Sequence, residues 1–140
     1  MTSNALRVSL AAGAMLIAAC ASQTQTQKSG GWKTEDLTAA LSSPSRPQAD
    51  RARDADRKPA QLMTFFGVQK GMTVVDIIAA DGYLSEVLAV TVGPTGKVYI
   101  QNPPRVLQMR GGAAEKALVT RLAGNRLPNA VRADGDLPVA

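Results

Sequence analysis

The chain has 140 residues, a formal net charge of +5, one cysteine and no histidine, a length that predicts one domain at most. With no histidine and a single cysteine it holds no residue set for a zinc, haem or iron–sulfur centre, and none for Ser/His/Asp or Cys/His nucleophilic catalysis. Basic and acidic residues alternate at Arg51, Arg53, Asp54, Asp56, Arg57 and Lys58 with no aromatic residue between them, so this stretch reads as a solvated helix face and nucleic acid is not an expected partner.

At the front of the chain, Arg7 and the amino terminus precede an apolar run over residues 8–19 (VSLAAGAMLIAA), which has the length of an export signal and is short for a membrane span. Ile17-Ala18-Ala19-Cys20 resembles the lipobox of bacterial lipoproteins. That resemblance implies a signal peptide over residues 1–20, a diacylglycerol on Cys20 and a lipid-anchored protein in the cell envelope. Because Ala21 rather than an acid follows the cysteine, it also implies a periplasm-facing place on the outer membrane. Residues 22–31 (SQTQTQKSGG) are too polar to form a core and read as a tether. A plain signal peptide or a short buried helix is the alternative for the apolar run.

From Trp32 the composition changes. Thr34, followed by Glu35 and Asp36, suits the cap of a short helix reaching about Leu41, which Ser43, Pro44 and Pro47 then break, so that residues 21–45 comprise tether and short helix. A second, exposed helix is expected over residues 50–58. Pro59 opens a further turn whose Ala60, Leu62, Met63, Phe65 and Phe66 recur at helical spacing, as a face packed on a sheet would. Gly67 to Gly71 form a turn, and residues 72–78 (MTVVDII) read as a buried central strand. A helix is expected over residues 83–92, with Leu84, Val87, Leu88 and Val92 on its inner face, ended by Gly93-Pro94-Thr95-Gly96. A second strand follows at residues 97–101 (KVYIQ), a helix at 113–122, and a third strand near 130–133. Strand, loop, helix, turn and strand in this order predict parallel pairing with a crossover helix.

Residues 76–83 (DIIAADGY), with Arg57-Lys58-Pro59 and the stretch Phe65 to Met72 before them, resemble predicted class I S-adenosylmethionine-dependent methyltransferases, closest to an exported group of such proteins. The resemblance covers residues 46–138. It implies an α/β fold: a partial Rossmann-like (class I methyltransferase type) parallel sheet with flanking helices, occupying residues 46–140 as the N-terminal part of a methyltransferase-like domain whose remaining sheet would lie beyond the end of this chain. It further implies S-adenosylmethionine as cofactor and a small-molecule or protein acceptor.

Residue by residue, the resemblance places Asp76 where a carboxylate helps to hold the cofactor's cationic methionine end, and Gly82 at the last glycine of the usual D-x-G-x-G-x-G loop. Ile78 and Ala80 occupy the first two glycine positions. A β-branched residue does not readily take positive φ, so at Ile78 the loop is expected to follow another course or to leave less room. Asp81 adds negative charge at a variable position. The acid that usually accepts the ribose hydroxyls is replaced by amides at Gln101 and Asn102, and Asp134, in residues 134–138 (DGDLP), matches a position that often meets the adenine amino group. Asp76 also suits a helix cap, Gly82 a tight turn, Asn102 before Pro103 a turn former, and Asp134 an ordinary loop carboxylate. No residue for the transfer step itself is visible. Beside an enzyme of methyltransferase type stands a tethered, non-enzymatic binding module of the cell envelope that retains the fold.

Overall fold

The structure is a computed structural model that describes residues 31–137. The expected signal segment, Cys20 and most of the tether lie outside the described residues. Within them the elements are α1 (Thr34–Leu41), α2 (Gln48–Arg57), α3 (Pro59–Phe65), β1 (Thr73–Ile77), α4 (Tyr83–Val92), β2 (Lys97–Gln101), α5 (Pro104–Leu122) and β3 (Ala130–Arg132). The strands form one parallel sheet in the order β1-β2-β3. This is the partial Rossmann-like arrangement, a parallel sheet with flanking helices.

Parallel order follows from the crossover helix. An apolar α4 between two strands must bury its side chains on the sheet, and Val87 and Val92 are fully buried there with Val98 and Ile100 of β2. Each such burial stabilises the fold by roughly 1.5–3 kcal/mol. Leu37 and Leu41 of α1, Ala60 and Met63 of α3, and Leu118 of α5 complete the core on this side. Gly96 makes the return into β2 possible: a Cβ there would lie 2.5 Å from Val92 Cβ and 2.7 Å from Met72 O.

The structure corrects several expectations. β1 is an edge of the described sheet and β2 its centre. Val75 and Ile77, pointing away from the helices, are exposed, as is Tyr99 beside Val75 in the register. The buried-strand pattern was half right, because helices cover one face of the sheet among the described residues. α3 packs on α1 and α4 rather than on the sheet. Only Ala60 and Met63 of its apolar residues are buried with Pro59, while Phe65 and Phe66 are exposed. Thr34 does not cap α1: Lys33 holds that place, and Thr34 Oγ1 lies 3.1 Å from Thr64 Oγ1. α5 begins earlier than expected, at Pro104, but residues 109–112 leave helical geometry and break it into two.

The largest correction concerns α2. Its charges are not simply solvated, because Asp50 is buried and Asp54 accepts both guanidinium arms of the fully buried Arg46, at 2.5 and 3.2 Å. Arg121 Nη1 of α5 donates to Asp50 Oδ2 at 2.6 Å and also to Glu86 Oε2 of α4. Glu86 receives Arg126 as a bidentate partner at 2.6 and 2.9 Å. A buried carboxylate is tolerated only when paired, and here the pairing ties α2, α4 and α5 together at the N-terminal end of α4.

Candidate functional site

Parallel strands place their carboxyl ends, and the loops that follow them, at one end of the sheet. β1 ends at Ile77 beside Gln101 of β2, and the loop over residues 78–82 then turns back into α4. Along it, alternate residues take left-handed backbone geometry: φ is 56° at Ile78, 50° at Ala80 and 76° at Gly82. Of the two expectations for Ile78, a diverted course is therefore corrected, and the isoleucine instead stands on the cleft wall. The chain keeps the alternating left-handed course with an isoleucine and an alanine where glycines would be free of strain. Each such residue costs on the order of 1–2 kcal/mol, so other contacts must hold it there.

Those contacts come from the two amides that close β2. Ile78 N–H donates to Gln101 Oε1 at 3.1 Å and Ala80 N–H to Asn102 Oδ1 at 2.8 Å. Ala79 N–H donates to Gln101 O at 3.0 Å. Gln101 and Asn102 are both fully buried beneath the loop, and their far sides reach the segment after β3: Gln101 Nε2 donates to Gly135 O at 2.5 Å, and Gly135 N–H to Asn102 O at 3.0 Å. From the other side Arg121 Nε donates to Asp81 O at 2.9 Å. Gly82 meets Arg121 and Leu118 so closely that a Cβ would fall 2.9 Å from Leu118 Cδ1 and 3.1 Å from Arg121 Cδ. Its glycine thus serves both the positive φ and the close approach of α5.

The loop lines a cleft of about 790 Å³ that also takes in Asp76, Tyr83, Arg53, Arg57 and Arg110. Asp76 is buried at the end of the strand face and accepts a hydrogen bond from Ser85 Oγ at 2.6 Å. Burial pushes its carboxyl above the usual carboxylate range, against the pull of the Ser85 hydrogen bonds. Asp81 Oδ1 accepts the Tyr83 N–H at 3.2 Å, and its Oδ2 lies 3.3 Å from Arg53. The Tyr83 ring is flanked by the guanidinium groups of Arg53 and Arg57 at 4.5 and 4.9 Å, and its hydroxyl donates to Asp54 at 2.7 Å. Burial, together with that carboxylate, pushes the Tyr83 hydroxyl up to about 12, so it acts as a donor and not as a base near neutral pH.

The structure thus brings Asp76 at the end of β1 together with Ala80 and Gly82 of the loop that follows, with Asp76 and Ala80 on the cleft wall. Asn102 lies beneath the loop as its brace and outside the cleft lining. Asp134 is not on the cleft either: it pairs with Arg132, whose Nε donates to Asp134 Oδ2 at 2.8 Å. Sequence reasoning missed the bracing role of Gln101 and Asn102. The signal was present, since parallel pairing brings the end of the second strand beside the end of the first. Arg53, Arg57 and Tyr83 were also missed as cleft residues.

No protein-family model and no curated protein matches the chain. Among solved structures, it is similar to a fibrillarin from Aeropyrum pernix in complex with natively bound S-adenosyl-L-methionine (23% identity, TM-score 0.39, covering 49% of this chain and 26% of that one). It is similar also to an S-adenosylmethionine-dependent methyltransferase from Aquifex aeolicus (22% identity, TM-score 0.49, 75% and 48%) and to a protein-L-isoaspartate O-methyltransferase (27% identity, TM-score 0.43, 58% and 23%). The chain spans between 23% and 48% of the length of these structures, two of which are named as methyltransferases.

Proposed function

We propose that the protein is an exported, lipid-anchored, methyltransferase-like protein that binds S-adenosylmethionine in the cleft at the end of β1. The observation that carries this reading is the loop of alternating left-handed residues at 78, 80 and 82, which follows a buried acid and enters a helix. Where such a loop carries glycines, backbone can approach a ligand closely; here the Ile78 and Ala80 side chains stand on the cleft wall. Asp76 would face the cationic methionine end, with Asp81 adding charge; Ala80 and Gly82 would give backbone access. Asn102 and Gln101 would hold the loop in place, and Asp134 would be an adenine contact only if the segment after β3 moved toward the cleft.

When bound, the cofactor supplies an electrophilic methyl group, and catalysis of its transfer is mainly a matter of positioning the acceptor in line with it. Among the described residues the cleft offers Arg57 and Arg110 as cations at its wall, while the Tyr83 hydroxyl proton is already held by Asp54. The acceptor is a small molecule or a protein, reached from the periplasmic face of the outer membrane by a chain anchored through Cys20. Calorimetric titration with S-adenosylmethionine and S-adenosylhomocysteine tests the binding. Weak binding that is lost in Asp76→Ala is expected; no binding of either ligand at millimolar concentration would overturn the reading. Metabolic labelling with a fatty-acid analogue tests the anchor: label in the wild type and none in Cys20→Ser is expected, and equal labelling of both contradicts it.

A second reading, a tethered binding module without enzymatic activity, is favoured by one observation. The two amides at the position of the ribose acid are consumed in bracing the loop, which leaves that part of the cleft without a free acceptor for the ribose hydroxyls. No binding of S-adenosylmethionine or S-adenosylhomocysteine by the folded protein at millimolar concentration would favour this module.

A further inference from the structure

The end of the sheet opposite the cleft has a character of its own. The sequence contains two phenylalanines, and both are exposed there, Phe65 by 83% and Phe66 by 64%, with their rings edge to face at 5.4 Å. Both close α3, just before the turn that leads into the start of β1. Three segments meet at this end. Gly71 N–H donates to Val92 O at 2.8 Å and Lys97 N–H to Met72 O at 2.9 Å, joining the turn before β1 to the turn before β2. The Trp32 indole donates to Thr91 O at 2.7 Å, and Lys70 Nζ lies 4.2 Å from its ring centroid, bringing the start of the described chain to the same place.

Residues 31–33, 64–73 and 91–97 contribute Lys33, Lys70 and Lys97 and no acid; the nearest acids along the chain are Glu35 and Asp36 in the first turn of α1 and Asp76 toward the other end of β1. Two adjacent aromatic rings and an exposed Met72 among lysines combine apolar insertion with attraction to negative headgroups. Burial inside the fold would have favoured these rings more, and the chain instead holds them outward. The eleven residues 21–31 between Cys20 and Trp32 reach at most about 40 Å, so an anchor at Cys20 would keep this end within reach of the bilayer.

We propose that this pole docks on an anionic lipid surface, with Phe65 and Phe66 at the boundary of headgroups and acyl chains and the cleft at the far ends of the strands turned away from the membrane. The charge and the exposed rings carry this inference; the proposed anchor at Cys20 supplies only the tethering. The test uses the processed full chain, whose acylation is read by intact mass, in vesicles of phosphatidylethanolamine and phosphatidylglycerol in which the phosphatidylethanolamine, kept constant throughout, carries the bromine, with Trp32 as reporter. Quenching of Trp32 is expected to fall about two-fold or more in Phe65→Ser/Phe66→Ser, and to fall likewise when neutral phosphatidylcholine replaces the anionic lipid. Unchanged quenching in both cases overturns the proposal, because the tether alone would then account for proximity. Both rings are exposed, so the variant keeps its fold, which circular dichroism checks. If Cys20 carries no lipid, the anchor reading fails separately, and the same processed chain is sedimented with the vesicles: loss of co-sedimentation in the double variant supports the pole, and equal co-sedimentation overturns it.

Discussion

Replacing Ala80 by glycine should stabilise the protein, against the usual direction of such a change. Ala80 sits at φ 50°, where an L-residue other than glycine costs roughly 1–2 kcal/mol. Glycine removes that cost but returns roughly 0.4–1 kcal/mol to the unfolded chain as extra backbone freedom. The Ala80 N–H bond to Asn102 is retained, so the net gain is on the order of 0.5–1 kcal/mol, or about 2–8 °C in Tm for a domain of this size. Ala79→Gly is the matched control. Ala79 is buried and is not in the left-handed region, so the same chemical change there should lower Tm. Thermal unfolding followed by circular dichroism measures both. If Ala80→Gly lowers Tm as Ala79→Gly does, the loop is not held in the left-handed course in solution and the reasoning about its strain is wrong. Ala80→Gly should also tighten S-adenosylhomocysteine binding, because the methyl group on the cleft wall is removed.

Two further outcomes follow from the charges around the loop. Arg121→Met removes the shared partner of two buried acids, leaving Glu86 with Arg126 and Asp50 with Arg53 at 3.3 Å, and frees the Asp81 carbonyl; urea denaturation should show a loss toward the lower end of about 3–5 kcal/mol, and a loss below about 1 kcal/mol would refute the bracing role. The Asp76 carboxyl is held above its usual range by burial, so its favourable contribution is present in acid, below the unfolded value of about 3.9, and disappears as pH rises through the folded value. Asp76→Asn should therefore be more stable than the wild type near neutral pH, with the Tm difference closing in acid; a difference that does not change with pH would contradict the assignment.

Some of this architecture was legible in the sequence, and the reason lies in local chemistry. α4 and β2 fall on the residues expected for them because a 3.6-residue apolar period and a β-branched run are bounded by Gly82 and by Gly93 to Gly96. Asp76 and Gly82 could be singled out because strand, acid, loop and helix follow one another within a few residues. What could not be read depended on distant partners. Asp50 and Arg121 are 71 residues apart, and nothing local distinguishes the buried Asp50 from the solvated acids beside it. Phe65 and Phe66 fit a helical apolar period as well as Met63 does, and only the packing of α3 on α1 and α4 decides which are covered. The course of the loop at Ile78 was not legible from its propensity: hydrogen bonds that the loop N–H groups donate to Gln101 and Asn102 override the preference of a β-branched residue.

The central claim is that the loop over residues 78–82 is a binding loop for the amino-acid end of S-adenosylmethionine. The most direct measurement is a titration of the isotope-labelled protein with S-adenosylhomocysteine, following backbone amide resonances by NMR. The account predicts that the amides of Ile77 to Tyr83 shift in a saturable way and that Asp76→Ala abolishes these shifts, while the amides of the opposite pole, Gly67 to Gly71, stay in place. Shifts confined to another part of the protein, or none at millimolar ligand, would contradict it.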